Sequence, residues 1–311
     1  MSSISSDGNL IAFSADISPN VRVSFSESLK ILAQLFKLRI VFLLLLSAFA
    51  GAVLGAGGWP DSSSLLLLLV SGTLSASGAS AINQYLEREQ DTFMERTKKR
   101  PLPSGLISRP NRVIVIGVSM VVFAVALAWW YNPTLAITTG LGAFVYVCIY
   151  TLWLKPRTIV NIVIGGASGC LAVLSGGAAV GAWSEPGVVT LALLVFVWTP
   201  THFWSLAIAY RDDYASAAFP MLPVVVPQKQ AAAWVVLHTL ATGLAALILG
   251  AHPSLGIWYF LPIGIATIRI IQLSLRLLKV QSRKSAMAVF HMSNKYLGLV
   301  ILFITLVVTF S

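Results

Sequence analysis

Long apolar stretches recur along almost the whole chain, and they restrict the fold more than any other feature of the sequence. Residues 40–58 begin Ile-Val-Phe-Leu-Leu-Leu-Leu, and comparable stretches follow as far as Phe310. A helix that crosses a bilayer needs about 20 predominantly apolar residues. Only 10% of the 311 residues are charged, whereas a soluble domain has roughly 25%. We therefore predict an all-α fold, a polytopic membrane helix bundle of about nine transmembrane helices.

Turn-forming sequences such as Asn132-Pro133 and His252-Pro253 divide these stretches into separate predicted spans. The spans are predicted at residues 39–58, 64–86, 112–131, 133–154, 159–182, 187–210, 231–251, 255–278 and 291–310. Residues 1–38 are predicted to be a flexible cytosolic tail that ends in a short interfacial helix around Ser24–Phe36. Residues 39–311 then form one transmembrane domain.

The Lys and Arg residues lie in alternate loops, as the positive-inside rule expects. Predicted inner loops at 87–112, 155–157, 211–229 and 279–295 contain them, whereas the outer loops contain neither type. We therefore predict a cytosolic amino terminus and a carboxyl terminus on the opposite side. Because most Lys and Arg residues lie in loops between spans, the net charge of +10 indicates orientation in a lipid bilayer and excludes nucleic acid as a partner.

The amino-terminal tail and one isolated cation bear on location and packing. The tail contains Asp7 and Asp16 and begins with no apolar run, which disfavours a secretory signal and a mitochondrial transit peptide. We expect a bacterial inner (cytoplasmic) membrane rather than a mitochondrial one. Arg269 falls in the middle of the eighth predicted span, and an Arg that faces lipid is costly. We expect Arg269 to face the bundle interior or a water-filled cavity.

An acidic segment follows the second predicted span. Asn83, Glu87, Asp91 and Glu95 recur every four residues, and on a helix each such step advances about 40° around the axis and about 6 Å along it. The pattern predicts one acidic stripe on a continuous helix. Neighbouring carboxylates raise one another's pKa, and a set of oxygen ligands favours Mg²⁺ or Ca²⁺. The sequence therefore predicts a divalent-cation site.

A second acidic pair, Asp212 and Asp213, follows the sixth predicted span. Six of the eleven acidic residues fall in these two segments, although intramembrane proteins contain few charges without a function. Five basic residues are predicted at the same level, namely Arg96, Lys98, Arg100, Lys155 and Arg157. Mg²⁺ is commonly bound through a few carboxylates together with substrate phosphates. The alternative is ordinary solvated ion pairing, which we prefer for Glu89, Lys98 and Lys99.

Two longer motifs carry a family resemblance. The first acidic segment, with Arg96-Thr-Lys-Lys-Arg-Pro-Leu-Pro-Ser-Gly105, resembles the first aspartate-rich motif of the UbiA superfamily of intramembrane prenyltransferases. Trp198-Thr-Pro-Thr-His-Phe-Trp204, Tyr210-Arg-Asp-Asp-Tyr214 and Phe219-Pro-Met-Leu-Pro223 resemble the signature of its protoheme IX farnesyltransferase (haem O synthase) branch. The resemblance extends from about residue 30 onward. Thr201 and Glu87 depart from the residues usual in the branch, which are Pro and Asp.

The resemblance implies a UbiA-like fold and Mg²⁺-dependent transfer of a farnesyl group from farnesyl diphosphate to a vinyl group of haem B. It implies that Asn83, Glu87, Asp91, Asp212 and Asp213 hold the metal. It further implies that Arg96, Arg100, Lys155 and Arg157 bind the diphosphate. Tyr150, Asn161, Phe203, Trp204 and Tyr210 are the other expected substrate-binding residues, Trp153 is a further aromatic candidate, and His202 is assigned to the acceptor site. Downstream partners implied are a haem A synthase or the assembly of a terminal oxidase.

Three alternatives remain open from the sequence. One is a UbiA-type prenyltransferase with a quinone or chlorin acceptor, which the His-Phe-Trp sequence disfavours. The second is a transporter, but transporters usually place charged sites near the middle of the membrane, and these clusters are predicted at its inner surface. The third is a non-enzymatic haem transporter or chaperone, which has no need of six clustered acidic residues. His202 itself has the alternative of a hydrogen bond to a neighbouring helix.

Overall fold

The computed structural model of the chain describes residues 24–310. Residues 1–23 of the predicted tail lie outside them. The helices are α1 (Phe25–Leu35), α2 (Leu38–Ala56), α3 (Ser62–Leu86), α4 (Pro110–Tyr131), α5 (Pro133–Leu154), α6 (Asn161–Ala179), α7 (Pro186–Ala209), α8 (Arg211–Ser216), α9 (Leu222–Val225), α10 (Gln228–Gly250), α11 (Gly256–Lys279) and α12 (Arg283–Phe310). In this part of the chain nine helices are long and apolar enough to cross a membrane. The predicted nine-helix bundle is therefore confirmed.

The nine spans pack in chain order around the bundle, and α2 with α6 and α7 with α12 also pack across it. Each of α2 to α7 packs against the next, α7 packs against α10, and α10 to α12 again follow in order until α12 contacts α2. Small residues permit the closest approaches. A Cβ added to Gly176 of α6 would lie 1.8 Å from the carbonyl oxygen of Ala48, and one added to Gly78 of α3 would lie 2.5 Å from that of Gly117. Larger side chains at these two positions would force the helices apart.

Helix α1 begins with a capping box, in which the Ser24 hydroxyl accepts from the backbone of Glu27 and the Glu27 carboxylate accepts from the backbone of Ser24. Ile31 and Leu35 of α1 are buried, whereas Phe25 and Leu29 are exposed. The side-chain amide of Gln84, at the inner end of α3, donates to the last carbonyl groups of α1 at 2.6–2.8 Å. The short helix predicted around Ser24–Phe36 is confirmed.

Three sequence predictions about the inner half of the bundle were wrong. Helix α3 ends at Leu86, so the acidic stripe does not continue on one helix to Glu95, which is exposed and pairs with Lys98. Helix α12 starts at Arg283 rather than at 291, because it begins with the polar residues Arg283-Lys-Ser, which the sequence analysis assigns to a loop. Lys295 consequently lies within a span instead of in a loop. Arg269 is exposed on the outside of the bundle.

The inner half of α5 departs from α-helical geometry. Val145–Leu154 is π-helical, so its backbone bonds join residues five apart instead of four. The Lys155 N–H donates to the Tyr150 carbonyl at 2.8 Å in this pattern. Residues five apart therefore share a face, and Tyr150 and Lys155 point the same way. Such π-helical segments are frequent at functional sites.

Candidate active site

The polar residues of the first acidic segment gather at the inner end of α3. Asn83, Glu87 and Asp91 are all buried, although only Asn83 belongs to the helix. Glu87 is its capping residue and Asp91 lies in the following 3₁₀ turn, Gln90–Phe93. The backbone N–H of Glu87 donates to Asn83 and that of Asp91 donates to Glu87. These bonds keep the three side chains together after the helix has ended.

Each of the two buried carboxylates of this segment faces a cation. The Lys155 ammonium lies 2.5 Å from the Glu87 carboxylate, and the Arg100 guanidinium lies 2.7 Å from that of Asp91. Burial disfavours the charge of Glu87, but Lys155 and Lys37 outweigh burial and hold the pKa of this carboxyl below its usual value. The pairs therefore stabilise ionised carboxylates inside the protein.

Lys37 is a member of this cluster that the sequence analysis missed. Its ammonium donates to Asn83 Oδ1 at 2.5 Å and to the Tyr146 hydroxyl at 3.2 Å. The residue has a left-handed backbone with φ 48°, a conformation that is costly for a non-glycine residue. Burial, reinforced by the nearby Arg100, lowers the pKa of Lys37 to about 7. The available signal is a Lys directly before the first predicted span, which the sequence analysis assigns to the tail.

Aromatic rings cover the cation of Lys155. Its ammonium lies 4.5 Å from the ring centre of Phe219 and 5.8 Å from that of Tyr150. The Tyr150 ring stacks on Tyr146 with the ring centres 5.9 Å apart. It packs against Gly165 of α6, where any Cβ would lie 2.6 Å from the ring. The inner end of α5 thus presents aromatic faces beside the charge cluster.

The second acidic segment lies in α8, next to an open groove. The groove has a volume of about 630 Å³ and is lined by Glu95, Arg96, Ile208, Ala209, Tyr210, Arg211, Asp212, Asp213, Gln228, Gln281, Ser282 and Arg283. Asp213 accepts from the backbone N–H of Arg96 at 3.3 Å, and the Arg96 guanidinium donates to the Tyr214 hydroxyl at 3.4 Å. These contacts join the loops that carry the two acidic segments.

Some of the predicted substrate-binding residues lie elsewhere. Arg157 is exposed and its guanidinium donates to the carbonyl groups of Leu152 and Trp153, so it caps α5. Trp153 faces outward and is 58% exposed. Asn161 is buried at the start of α6, where its amide donates to the Thr158 carbonyl. The structure thus joins Arg96, Arg100 and Lys155 to the acidic segments and leaves Arg157 and Trp153 on the outside.

His202 lies between two aromatic rings in the inner third of α7. Its ring stacks on Trp198 and on Phe290 of α12, with centre distances of 4.6 and 4.5 Å, and Phe203 meets it edge-on at 5.2 Å. The Nδ1 atom is 3.0 Å from the Ser293 hydroxyl. Trp204 is buried against His238, with ring centres 5.2 Å apart. The hydrogen bond from His202 to a neighbouring helix is thus present. Its assignment to the acceptor site stays a prediction, since the two roles are compatible.

The donor set near Asp91 is suited to a hard divalent cation. The Asp91 Oδ1 atom is buried and has no hydrogen-bond donor among residues 24–310. A buried carboxylate oxygen without a partner is costly, and oxygen ligands are those that Mg²⁺ prefers. In the same part of the chain no group of three or more His, Cys, Asp or Glu side chains is close enough to hold a metal. Cations of the protein instead neutralise the carboxylates of the first segment.

Comparison with known proteins gives the family. Residues 44–295 match the UbiA prenyltransferase family. The chain belongs to this family. The match covers both acidic segments, the π-helical segment and His202. The resemblance deduced from the sequence motifs is therefore confirmed, together with the UbiA-like fold.

Relatives within the UbiA family share substantial identity with the chain. "Protoheme IX farnesyltransferase" of Metallosphaera sedula is 36% identical over 283 residues, which are 91% of this chain and 98% of that protein. "Protoheme IX farnesyltransferase 2" of Paramagnetospirillum magneticum is 43% identical over 232 residues, covering 73% of this chain and 81% of the relative.

Solved structures of the UbiA fold are also similar. A digeranylgeranylglyceryl phosphate synthase superposes with a TM-score of 0.75 and 19% identity, over 90% of this chain and 98% of that one. A UbiA homolog from Archaeoglobus fulgidus bound to DMAPP and Mg²⁺ superposes with a TM-score of 0.60 and 16% identity, over 88% and 99% of the two chains. At these identities the two similarities establish the fold alone.

Proposed function

We propose that the protein is a haem O synthase, which transfers the farnesyl group of farnesyl diphosphate to a vinyl group of haem B. The observation that carries the proposal is the buried inner cluster in which Lys37, Arg100 and Lys155 face Asn83, Asp91 and Glu87. Relatives named protoheme IX farnesyltransferase that match nearly the full chain support this acceptor over a quinone or a chlorin.

The cations of the cluster are suited to a diphosphate. Lys37, Arg100 and Lys155 stand within hydrogen-bond distance of the three acidic-segment side chains and would exchange these partners for phosphate oxygens when substrate binds. Asp91 through its free Oδ1, with Asn83, Glu87, Asp212 and Asp213, would hold Mg²⁺. When bound, this ion supplies charge stabilisation to the departing diphosphate. The A. fulgidus UbiA homolog bound to Mg²⁺ supports the use of a divalent metal.

The first step of the proposed reaction is ionisation of the allylic diphosphate. The C1–O bond of farnesyl diphosphate breaks, and diphosphate leaves with the electron pair. A carbon of the haem vinyl group forms the new C–C bond, and water adds a hydroxyl group with loss of a proton. The faces of Tyr146 and Tyr150, stacked beside Lys155, would stabilise the allylic cation by cation–π contact. Fixed positive side chains stabilise the charge that develops on the leaving group.

The nine spans and the one-sided distribution of Lys and Arg support a multi-pass protein of the bacterial cytoplasmic membrane with the cluster at the inner surface. His202, with Phe203 and Trp204, belongs in this proposal to the wall of the acceptor pocket. A haem A synthase or the assembly of a terminal oxidase would consume the product.

The test is the mass of the product. Purified protein in lipid nanodiscs, given farnesyl diphosphate, haem B and Mg²⁺, should yield haem O, and removal of the metal with EDTA should stop its formation. Asp213→Asn is the matched inactive control. Haem that binds to the protein but is not prenylated would indicate a chaperone or transporter. Prenylation of a quinone or chlorin, without prenylation of haem, would indicate the other acceptor class.

A further inference from the structure

The outward face of α11 changes character halfway along the helix. In its outer half the exposed side chains are apolar, for example Trp258, Leu261 and Ile265. In its inner half the exposed positions include Arg269, Gln272, Arg276 and Lys279. The spacing of three, four and three residues puts these four on one helical stripe. Among the spans α11 packs chiefly against α10 and α12, so this stripe lies on the perimeter of the bundle.

Hydrogen bonds between helices indicate how deep in the bundle Arg269, the first residue of this stripe, lies. The Thr267 hydroxyl of α11 is 2.9 Å from the Tyr296 hydroxyl of α12, so Arg269 and Lys295 are nearly level. Trp198 Nε1 and His202 Nδ1 both bond to Ser293, which puts that part of α12 level with the middle of α7. Arg269 and Lys295 are both exposed. Two cations thus face outward near the middle of the membrane.

Neither cation is neutralised within the described chain. In residues 24–310 no ion pair involves Arg269 or Lys295, and Arg269 donates only a 3.4 Å hydrogen bond to Gln272. Ten residues separate Arg269 from Lys279 at the inner end, which is about 15 Å, and a long side chain spans only about one 5.4 Å turn of that distance. Unpaired cations at this depth are costly in lipid. A carboxylate at the same depth would remove the cost.

We propose that the face formed by Arg269, Gln272 and Lys295 is a docking surface for a transmembrane helix of another protein that carries an Asp or Glu near its middle. A second copy of this chain does not provide that group. Each acidic residue of residues 24–310 lies in a loop, in α1, in the short helix α8 or at the inner end of a span, and the sequence has no acidic residue after Asp213. An anionic lipid headgroup is less suited, because it lies at the membrane surface. The proposal does not depend on the prenyl-transfer reaction.

The experiment measures association of the full-length protein with a model helix. The protein, with a donor fluorophore at its carboxyl terminus, is reconstituted in neutral phosphatidylcholine vesicles. An acceptor-labelled Leu-Ala transmembrane peptide with one central Asp is added, and energy transfer is titrated. We expect saturable transfer that is about tenfold tighter than with the Leu-centred peptide, the order of an interhelical polar contact. Arg269→Leu with Lys295→Leu should reduce binding to the level of the Leu-centred peptide.

Two controls complete the design. Lys284→Leu removes an exposed cation at the inner end of α12 and should leave peptide binding unchanged, which excludes a general effect of charge. The thermal unfolding temperature of each variant checks its folding. Equal transfer from the Asp and Leu peptides would overturn the proposal. A second outcome would also overturn the proposal. If wild-type protein retains phosphatidylglycerol, the double variant does not, and neither discriminates between the peptides, then the face binds lipid.

Discussion

The ammonium of Lys155 lies 2.5 Å from the carboxylate of Glu87, and both side chains are buried although 68 residues separate them in sequence. Removing one member of a buried ion pair leaves an uncompensated charge, at a cost of about 3–5 kcal/mol. We expect Glu87→Gln and Lys155→Met each to lower the free energy of unfolding by roughly this amount. The double variant should recover part of the loss, as measured by denaturation in detergent, while all three variants lose prenyl transfer.

Exposed Glu89 provides the control for this comparison of single and double variants. Its carboxylate is 3.2 Å from Arg88 and 76% exposed, and such surface pairs contribute about 0–1 kcal/mol. Glu89→Gln should therefore behave as wild type in stability and turnover. Simple additivity of the two single-variant losses in the double variant would contradict the coupling of Glu87 to Lys155.

Asp91→Asn is expected to abolish turnover without preventing membrane insertion. The substitution preserves the shape of the side chain but removes its charge and replaces one carboxylate oxygen with an NH2 group, so that Arg100 and Mg²⁺ no longer each have an oxygen of this side chain. Loss of a group that stabilises the transition state lowers kcat by about 10²–10³-fold. Turnover against Mg²⁺ concentration is the measurement. Near-normal turnover with an unchanged metal requirement would remove Asp91 from the metal site.

His202→Ala is expected to lose haem-dependent turnover while it retains binding of the prenyl diphosphate. The ring lies in the inner third of α7, between Trp198 and Phe290, and Asp212 follows ten residues later in α8, which corresponds to about 15 Å at helical rise. That separation is too large for contact with a diphosphate held at the inner surface. Donor affinity and haem turnover of the purified variant are compared.

Ser293→Ala is the partner variant for His202. It keeps the imidazole but removes the hydroxyl 3.0 Å from Nδ1, so a role limited to this interhelical bond predicts the same defect in both variants. A role toward the acceptor predicts a much larger loss of haem turnover in His202→Ala. Equal loss of donor binding and haem turnover would make His202 a structural residue.

The two faces of the protein should be distinguishable by chemical labelling. Ser104 and Ser184 are exposed on loops separated by three spans, and the charge bias puts the first loop in the cytosol. Cysteines introduced at these positions in a variant lacking Cys148 and Cys170 should react with a membrane-impermeant maleimide from opposite sides. Reaction of both from one side would contradict the assigned topology.

Glu185 should stabilise the outer end of the bundle in a pH-dependent way. It caps α7 by accepting from the Val188 N–H at 2.8 Å, and it lies 2.9 Å from His252. Burial raises the pKa of this carboxyl, but hydrogen bonds from the backbone N–H groups of Gly187 and Val188 outweigh burial and hold the pKa below its usual value of 4.5. The stabilisation is therefore present above the unfolded pKa of 4.5 and is lost as the pH falls through the folded pKa.

Glu185→Gln is the corresponding variant. We expect it to cost about 1 kcal/mol of stability at pH 7, the usual contribution of a capping side chain. The difference from wild type should shrink as the pH falls below 4.5, because wild-type Glu185 is then protonated as well. Thermal unfolding of both proteins across this range provides the measurement. A constant difference at all pH values would show that the carboxylate charge is irrelevant.

The sequence by itself determined the number of spans, the side on which the basic residues lie and the two segments that hold the acidic residues. These features depend on the local density of apolar and charged side chains, because any span must bury about 20 consecutive residues in lipid. Family membership was also legible in the motifs, since Asp91, His202 and Asp213 occur at diagnostic positions.

The tertiary structure decided which of these residues meet. Lys37 reaches Asn83 across 46 residues, and no local pattern indicates that contact. An α-helical period would put Tyr150 and Lys155 on different faces, whereas the π-helical segment puts them on one. The outward position of Arg269 likewise depends on which face of α11 packs against its neighbours. Contacts between distant segments are fixed by side-chain packing in three dimensions, and composition alone leaves that packing undetermined.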